Sequence, residues 1–91
     1  MFSSFADSPY IMSDYGSECK DIGANYILTD AQCKRAAESL QLTWKWSITN
    51  TRPKGCYKGS NKEVYFNEAV QSGSRGGNSI CLKGILHTYF N

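Results

Sequence analysis

The side chains best equipped for chemistry are four cysteines, Cys19, Cys33, Cys56 and Cys81. Their spacing decides which chemistry. A zinc site built from cysteines takes its ligands in close pairs, and a thioredoxin-like centre needs C-x-x-C. Here more than a dozen residues separate each cysteine from the next. An even number of widely spaced cysteines in a short chain reads as two structural disulfides formed in an oxidising compartment. Once the thiols are oxidised, no Cys–His nucleophile remains. The one histidine, His87, lies beyond the last cysteine, where a lone imidazole reads as a surface group rather than a general base. The carboxylates are scattered, with no two at the helix or strand spacing of an acid–base pair. An Asp/Asn-rich calcium loop is missing. Arg75-Gly76-Gly77-Asn78 lacks the Lys-Ser/Thr and the strand-to-helix switch of a phosphate loop. These patterns predict no catalytic residues, no metal and no cofactor.

The elements that position the cysteines can be read from periodicity. Ninety-one residues make one domain with a small core, in which each disulfide contributes roughly 2–4 kcal/mol. Asp30 to Gln41 predicts a helix. Thr29 is its N-cap, Gln32 completes a capping box, and Leu28 and Cys33 occupy the hydrophobic-staple positions. Cys33, Ala36, Ala37 and Leu40 recur at helical spacing and form one apolar face. The alanines permit close approach to a sheet, so the partner of Cys33 is expected in the strands beneath. Leu42, Trp44, Trp46 and Ile48 alternate with Thr43, Lys45 and Ser47, the pattern of a strand with one buried face. Two readings of the tryptophans remain: core anchors, which the shared face with Leu42 and Ile48 favours, or an exposed platform for sugar rings. Further strands are expected from Cys56-Tyr57, over Glu63–Asn67 and over Ile80–Lys83. Lys58–Lys62 has turn chemistry, and Gln71–Ser79 is a Gly/Ser-rich surface loop. The predicted fold is α+β, with one helix packed on a small, mainly antiparallel sheet.

The predicted organisation has three parts: an extended aromatic arm over residues 1–17, a stapled domain over 18–83 and an apolar tail over 84–91. The arm carries Phe2, Phe5, Tyr10, Ile11, Met12 and Tyr15, which either pack back on the domain or lie along a partner. The tail carries Ile85, Leu86, Tyr89 and Phe90, and could add an edge strand or be donated to a neighbour. Ten basic and eight acidic side chains leave a net charge of +2, too weak to argue for nucleic acid. Lys45, Arg52, Lys54, Lys58 and Lys62 nonetheless follow one another without an acid among them. They form either a solvated basic loop or a docking patch for an acidic partner. No stretch is long and apolar enough to span a bilayer. The first residues do not form a signal peptide, so the chain reads as a mature form or a piece of a longer precursor. There is no N-x-S/T sequon.

Taken together, Glu18-Cys19, the Cys33…Ala36-Ala37…Leu40 helix, Gly55-Cys56-Tyr57, Val64-Tyr65-Phe66-Asn67 and Ile80-Cys81 resemble a small four-cysteine module of secreted and lumenal proteins from algae, dinoflagellates especially, and other protists. The resemblance covers about residues 18–83. It implies a compartment and a scaffold rather than an activity: the thylakoid lumen or the cell exterior. Spacing alone leaves three cysteine pairings open. The expected pairing is Cys33–Cys56, tying the helix face to the Gly-Cys-Tyr strand, and Cys19–Cys81, joining the ends of the core.

The function expected is that of a non-enzymatic interaction module, an accessory or linker subunit of a larger extracytoplasmic assembly with protein partners. For an alga, a membrane-associated photosystem–antenna supercomplex is one such assembly. The expected contact residues are Phe2, Phe5, Tyr10, Ile11, Ile85, Leu86, Tyr89 and Phe90, with Lys54, Lys58 and Lys62 supplying orientation. The alternative is a secreted carbohydrate-binding module. It would stack sugars on Trp44, Trp46, Tyr57 or Tyr65 and bond them through Asn61, Asn67 or Asn78.

Overall fold

In the computed structural model, which describes residues 8–49, 52–69 and 76–83, the helix runs over Asp30–Ser39 (α1). Thr29 starts it: its extended backbone turns the chain, and its hydroxyl oxygen accepts from the Gln32 N–H at 3.1 Å. This satisfies one of the donors that a helix start leaves open. The helix stops in a Schellman arrangement. Gln41 takes a left-handed φ of 61°, its N–H bonds to the Glu38 carbonyl, and the Leu42 N–H bonds to that of Ala37. Cys33, Ala36 and Ala37 are buried along one face. The hydrophobic staple does not form, because Leu28 is 79% exposed. The extended backbone before Thr29 buries Ile27 in the core instead.

The helix covers one face of a mixed sheet. Its strands are Tyr10–Met12 (β1), Asn25–Tyr26 (β2), Thr43–Ile48 (β3), Gly55–Lys58 (β4), Glu63–Asn67 (β5) and Asn78–Leu82 (β6). The order is β1-β6-β4-β5-β3, with β2 also paired to β6. The β3–β5 pair is parallel and the remaining pairs are antiparallel. The fold is therefore α+β, as the patterning predicts, with the strand that follows the helix placed at the sheet edge.

Ile27, Val64 and Ile80 fill the core between helix and sheet with Cys33, Ala36, Ala37 and Cys56; Trp44, Phe66 and Leu42 pack around them. Burying each of these aliphatic side chains contributes about 1.5–3 kcal/mol. A single disulfide is comparable, so the staples matter in a core this small. Both form in the expected pairing. Cys33–Cys56 ties α1 to β4, with Cα atoms 5.4 Å apart. Cys19–Cys81 ties a 3-10 turn at Cys19–Ile22 to β6, with Cα atoms 5.7 Å apart. Pleat alternation puts Cys81 on the opposite sheet face from Ile80. The two bridges thus clamp the sheet from its two sides.

Two expectations are corrected. The first concerns the arm. Of the two readings of its side chains, residues 10–12 follow the first and pack back on the domain as the edge strand β1, paired Tyr10↔Leu82, Ile11↔Cys81 and Met12↔Ile80. Ser8, Ser13 and Glu18 are buried, and Tyr10 packs against the core. The packed unit therefore reaches back to residue 8. A strand of three residues is too short to show a period, and Pro9 and the Ser/Asp/Gly residues around it read as loop. The second concerns Trp46, which is 55% exposed. The β3–β5 register passes from Trp44↔Val64 to Ser47↔Phe66, three steps on one strand against two on the other. This β-bulge breaks the alternation. Trp44 stays with the core while Trp46 moves out of it.

Candidate functional site

On the sheet face away from α1, the strands assemble an aromatic row. Tyr57 on β4 and Tyr65 on β5 are directly cross-strand. Their rings stack at 5.7 Å between centroids and 27° between planes. Trp46 meets Tyr65 edge-on at 5.8 Å and 79°, the T-shaped arrangement that ring quadrupoles favour. The row runs outward from Tyr57, which is 4% exposed, through half-buried Tyr65 to exposed Trp46. Lys45 stands 5.2 Å from the Trp46 ring centroid and 3.9 Å from a Glu63 carboxylate oxygen. The Tyr65 hydroxyl donates to the other Glu63 oxygen at 3.0 Å. That bond to a carboxylate raises the Tyr65 pKa, with desolvation adding to the shift.

A groove of about 630 Å³ opens along the Tyr57–Tyr65 end of this row. Tyr15, Arg52, Lys58, Glu63 and Asn78 contribute to its lining, with backbone from Gly59, Gly76 and Gly77. Gly77 makes the close approach possible. Its φ is 147°, and a Cβ there would lie 2.9 Å from the Lys58 carbonyl and 3.1 Å from the Tyr57 ring. Arg52 donates to the Gly76 carbonyl at 3.2 Å and closes the wall beside Tyr15. Below, the turn into β5 places Asn61 and Lys62 in the left-handed region, at φ 58° and 64°. Asparagine tolerates that region better than lysine does.

A second, smaller cleft of about 360 Å³ lies where β2 meets the start of β4, lined by Tyr26, Leu28, Lys54 and Phe66 among others. The Lys54 ammonium sits 4.5 Å over the Tyr26 ring. The Tyr26 hydroxyl donates to the buried Glu18 carboxylate at 2.7 Å. Burial, then this bond and the Glu18 charge, push the Tyr26 pKa up to about 12.

The expected site residues separate accordingly. Phe2, Phe5, Ile85, Leu86, Tyr89, Phe90 and His87 lie outside the described residues. Tyr10 is half-buried against the core, whereas Ile11 and Met12 are 39% and 38% exposed on β1. The three lysines do not share a patch. Lys54 covers Tyr26, Lys58 lines the groove, and Lys62 is exposed in the turn. Asn67 is structural: its Nδ2 donates to the Arg52 and Pro53 carbonyls at 2.8 and 3.1 Å, and its Oδ1 accepts from Ala69. Asn78 likewise donates to the Ser13 carbonyl at 3.0 Å. Reading the sequence missed Tyr15 and Tyr26 as lining residues, since both are set by pairings far along the chain.

Among the described residues, no group of His, Cys, Asp or Glu side chains is placed to hold a metal ion, and no helix is long and apolar enough to cross a membrane. The two disulfides point to an oxidising environment, extracellular or lumenal. No family model, curated protein or solved structure matches the chain.

Proposed function

We propose that the protein is a non-enzymatic interaction module, a rigid adaptor that docks on other proteins of an extracytoplasmic assembly. One observation carries this reading. The Lys83 N–H bonds to the Pro9 carbonyl at 2.9 Å, so the chain enters and leaves the described fold at a single corner of the sheet. The segments that continue from that corner, residues 1–7 and 84–91, hold Phe2, Phe5, Ile85, Leu86, Tyr89 and Phe90. Two apolar segments are thus delivered together from a doubly stapled base. Holding their roots side by side lowers the ordering cost of binding, and the second contact follows the first at high effective concentration. Ile11 and Met12 on β1 are themselves exposed apolar side chains.

The assembly that the algal resemblance suggests is a photosystem–antenna supercomplex, with the domain on the lumenal side of the membrane. Truncation tests the docking mechanism. A chain consisting of residues 8–83 keeps both disulfides and its unfolding transition, but no longer associates with detergent-solubilised complexes that capture the full chain. Equal association of the two chains would dismiss the terminal segments as the docking element.

A further inference from the structure

We infer that the groove beside Tyr57 and Tyr65, extended by Trp46, is a binding site for a pyranose chain of low charge. This is a second binding surface, independent of the terminal segments. Three features of the groove converge on that ligand.

The first is the aromatic row. A pyranose ring presents a flat patch of C–H bonds with partial positive charge, and the negative face of an indole or phenol ring attracts it. A tryptophan that served only the core would pack against it, as half-buried Trp44 does. Trp46 is instead carried outward by the bulge, 55% exposed, and is held edge-on against Tyr65. The contact with Tyr65 and the Lys45 ammonium near its ring fix the indole without hiding it. Little side-chain freedom is left to lose on binding.

The second is the lining. Sugar hydroxyls donate and accept at once, so a sugar site needs both kinds of partner. Arg52, whose guanidinium already donates to the Gly76 carbonyl on the groove wall, supplies the donor side, while Glu63 and the Tyr65 oxygen supply acceptors. The volume, about 630 Å³, falls within the ~300–1,000 Å³ of small-ligand sites.

The third is charge. Single-stranded nucleic acid also stacks on aromatic rows, but it needs a groove that is positive along its length. Here the Glu63 carboxylate faces the groove and is 3.9 Å from Lys45, and the whole chain carries only +2. A phosphodiester backbone would meet that carboxylate. A hydroxylated ring would use it.

The test is titration of the full chain with a panel of soluble hexasaccharides (β-1,3-glucan, β-1,4-glucan, xylan, mannan and polygalacturonate) and with hexauridylate. Tryptophan fluorescence and calorimetry read the binding. At least one neutral hexasaccharide should bind and protect the indole from iodide quenching. Trp46→Ala should lower that affinity at least tenfold with the unfolding midpoint little changed, since the ring is mostly outside the core. Trp46→Phe should restore part of it, and serves as the second variant if Trp46→Ala fails to fold. The inference is overturned if no saccharide binds, if Trp46→Ala binds as tightly as the wild type, or if hexauridylate is the tighter ligand. Binding of polygalacturonate alone, abolished by salt and unaffected at Trp46, would also overturn it.

Discussion

At the scale of single residues, the pair with the clearest consequence is Glu18 and Tyr26. They are eight apart in sequence, and nothing in their spacing announces them. They meet because β2 and the 3-10 turn are both held against β6, by strand pairing and by Cys19–Cys81. Glu18 is a buried carboxylate, and the phenol that donates to it at 2.7 Å is one of its compensating partners. The same contact sets a pH dependence. The folded pKa of Tyr26 is raised from 10.0 to about 12, so folding favours the neutral phenol. Its contribution to stability is fully present below pH 10 and is lost as the pH rises toward 12. Urea unfolding across pH 9–12 should therefore show a steeper loss for the wild type than for Tyr26→Phe. The variant should already be the less stable of the two at pH 8, because Glu18 loses a donor. Parallel pH curves would remove this pair from the account. Trp46 teaches a related lesson: its residue type was legible as either anchor or platform, and only the bulge opposite β5 decides between them.

At the scale of elements, the parts set by local pattern were readable and the parts set by distant pairing were not. α1 announces itself through Thr29 and the Cys33–Ala36–Ala37 spacing, and β5 through a short β-favouring run bounded by turn residues. The buried stripe of the helix points Cys33 at a strand cysteine, but Cys56 and Cys81 both lie on strands, and only the fold chooses Cys56. The edge strand β1 could not, since its three residues gain strand geometry only from β6. Nor could the parallel placement of β3 beside β5, which brings together strands separated in the chain by β4. This non-local architecture makes the staples count. Cys19–Cys81 spans 62 residues of sequence and Cys33–Cys56 spans 23. Loop-closure entropy then gives about 4 kcal/mol for the first and about 3 kcal/mol for the second. Replacing each pair by alanine should destabilise the domain in that order, measured by chemical denaturation. A larger loss from the Cys33–Cys56 pair would mean that its packing in the core outweighs the restriction of the unfolded chain.

At the scale of the whole molecule, a small sheet is clamped on both faces, with an aromatic groove on one side and the two ends of the described chain, Pro9 and Lys83, bonded at one corner. In the proposed adaptor role, the staples would supply rigidity in an oxidising environment, and the surfaces would supply contacts. The central claim is that it works as a bound subunit. Native electrophoresis of a mild-detergent extract from the organism that encodes the chain, probed with an antibody to it, tests this most directly. The account predicts migration with a large membrane complex, released when residues 1–7 and 84–91 are deleted. Migration solely as a free, uncomplexed protein would contradict it.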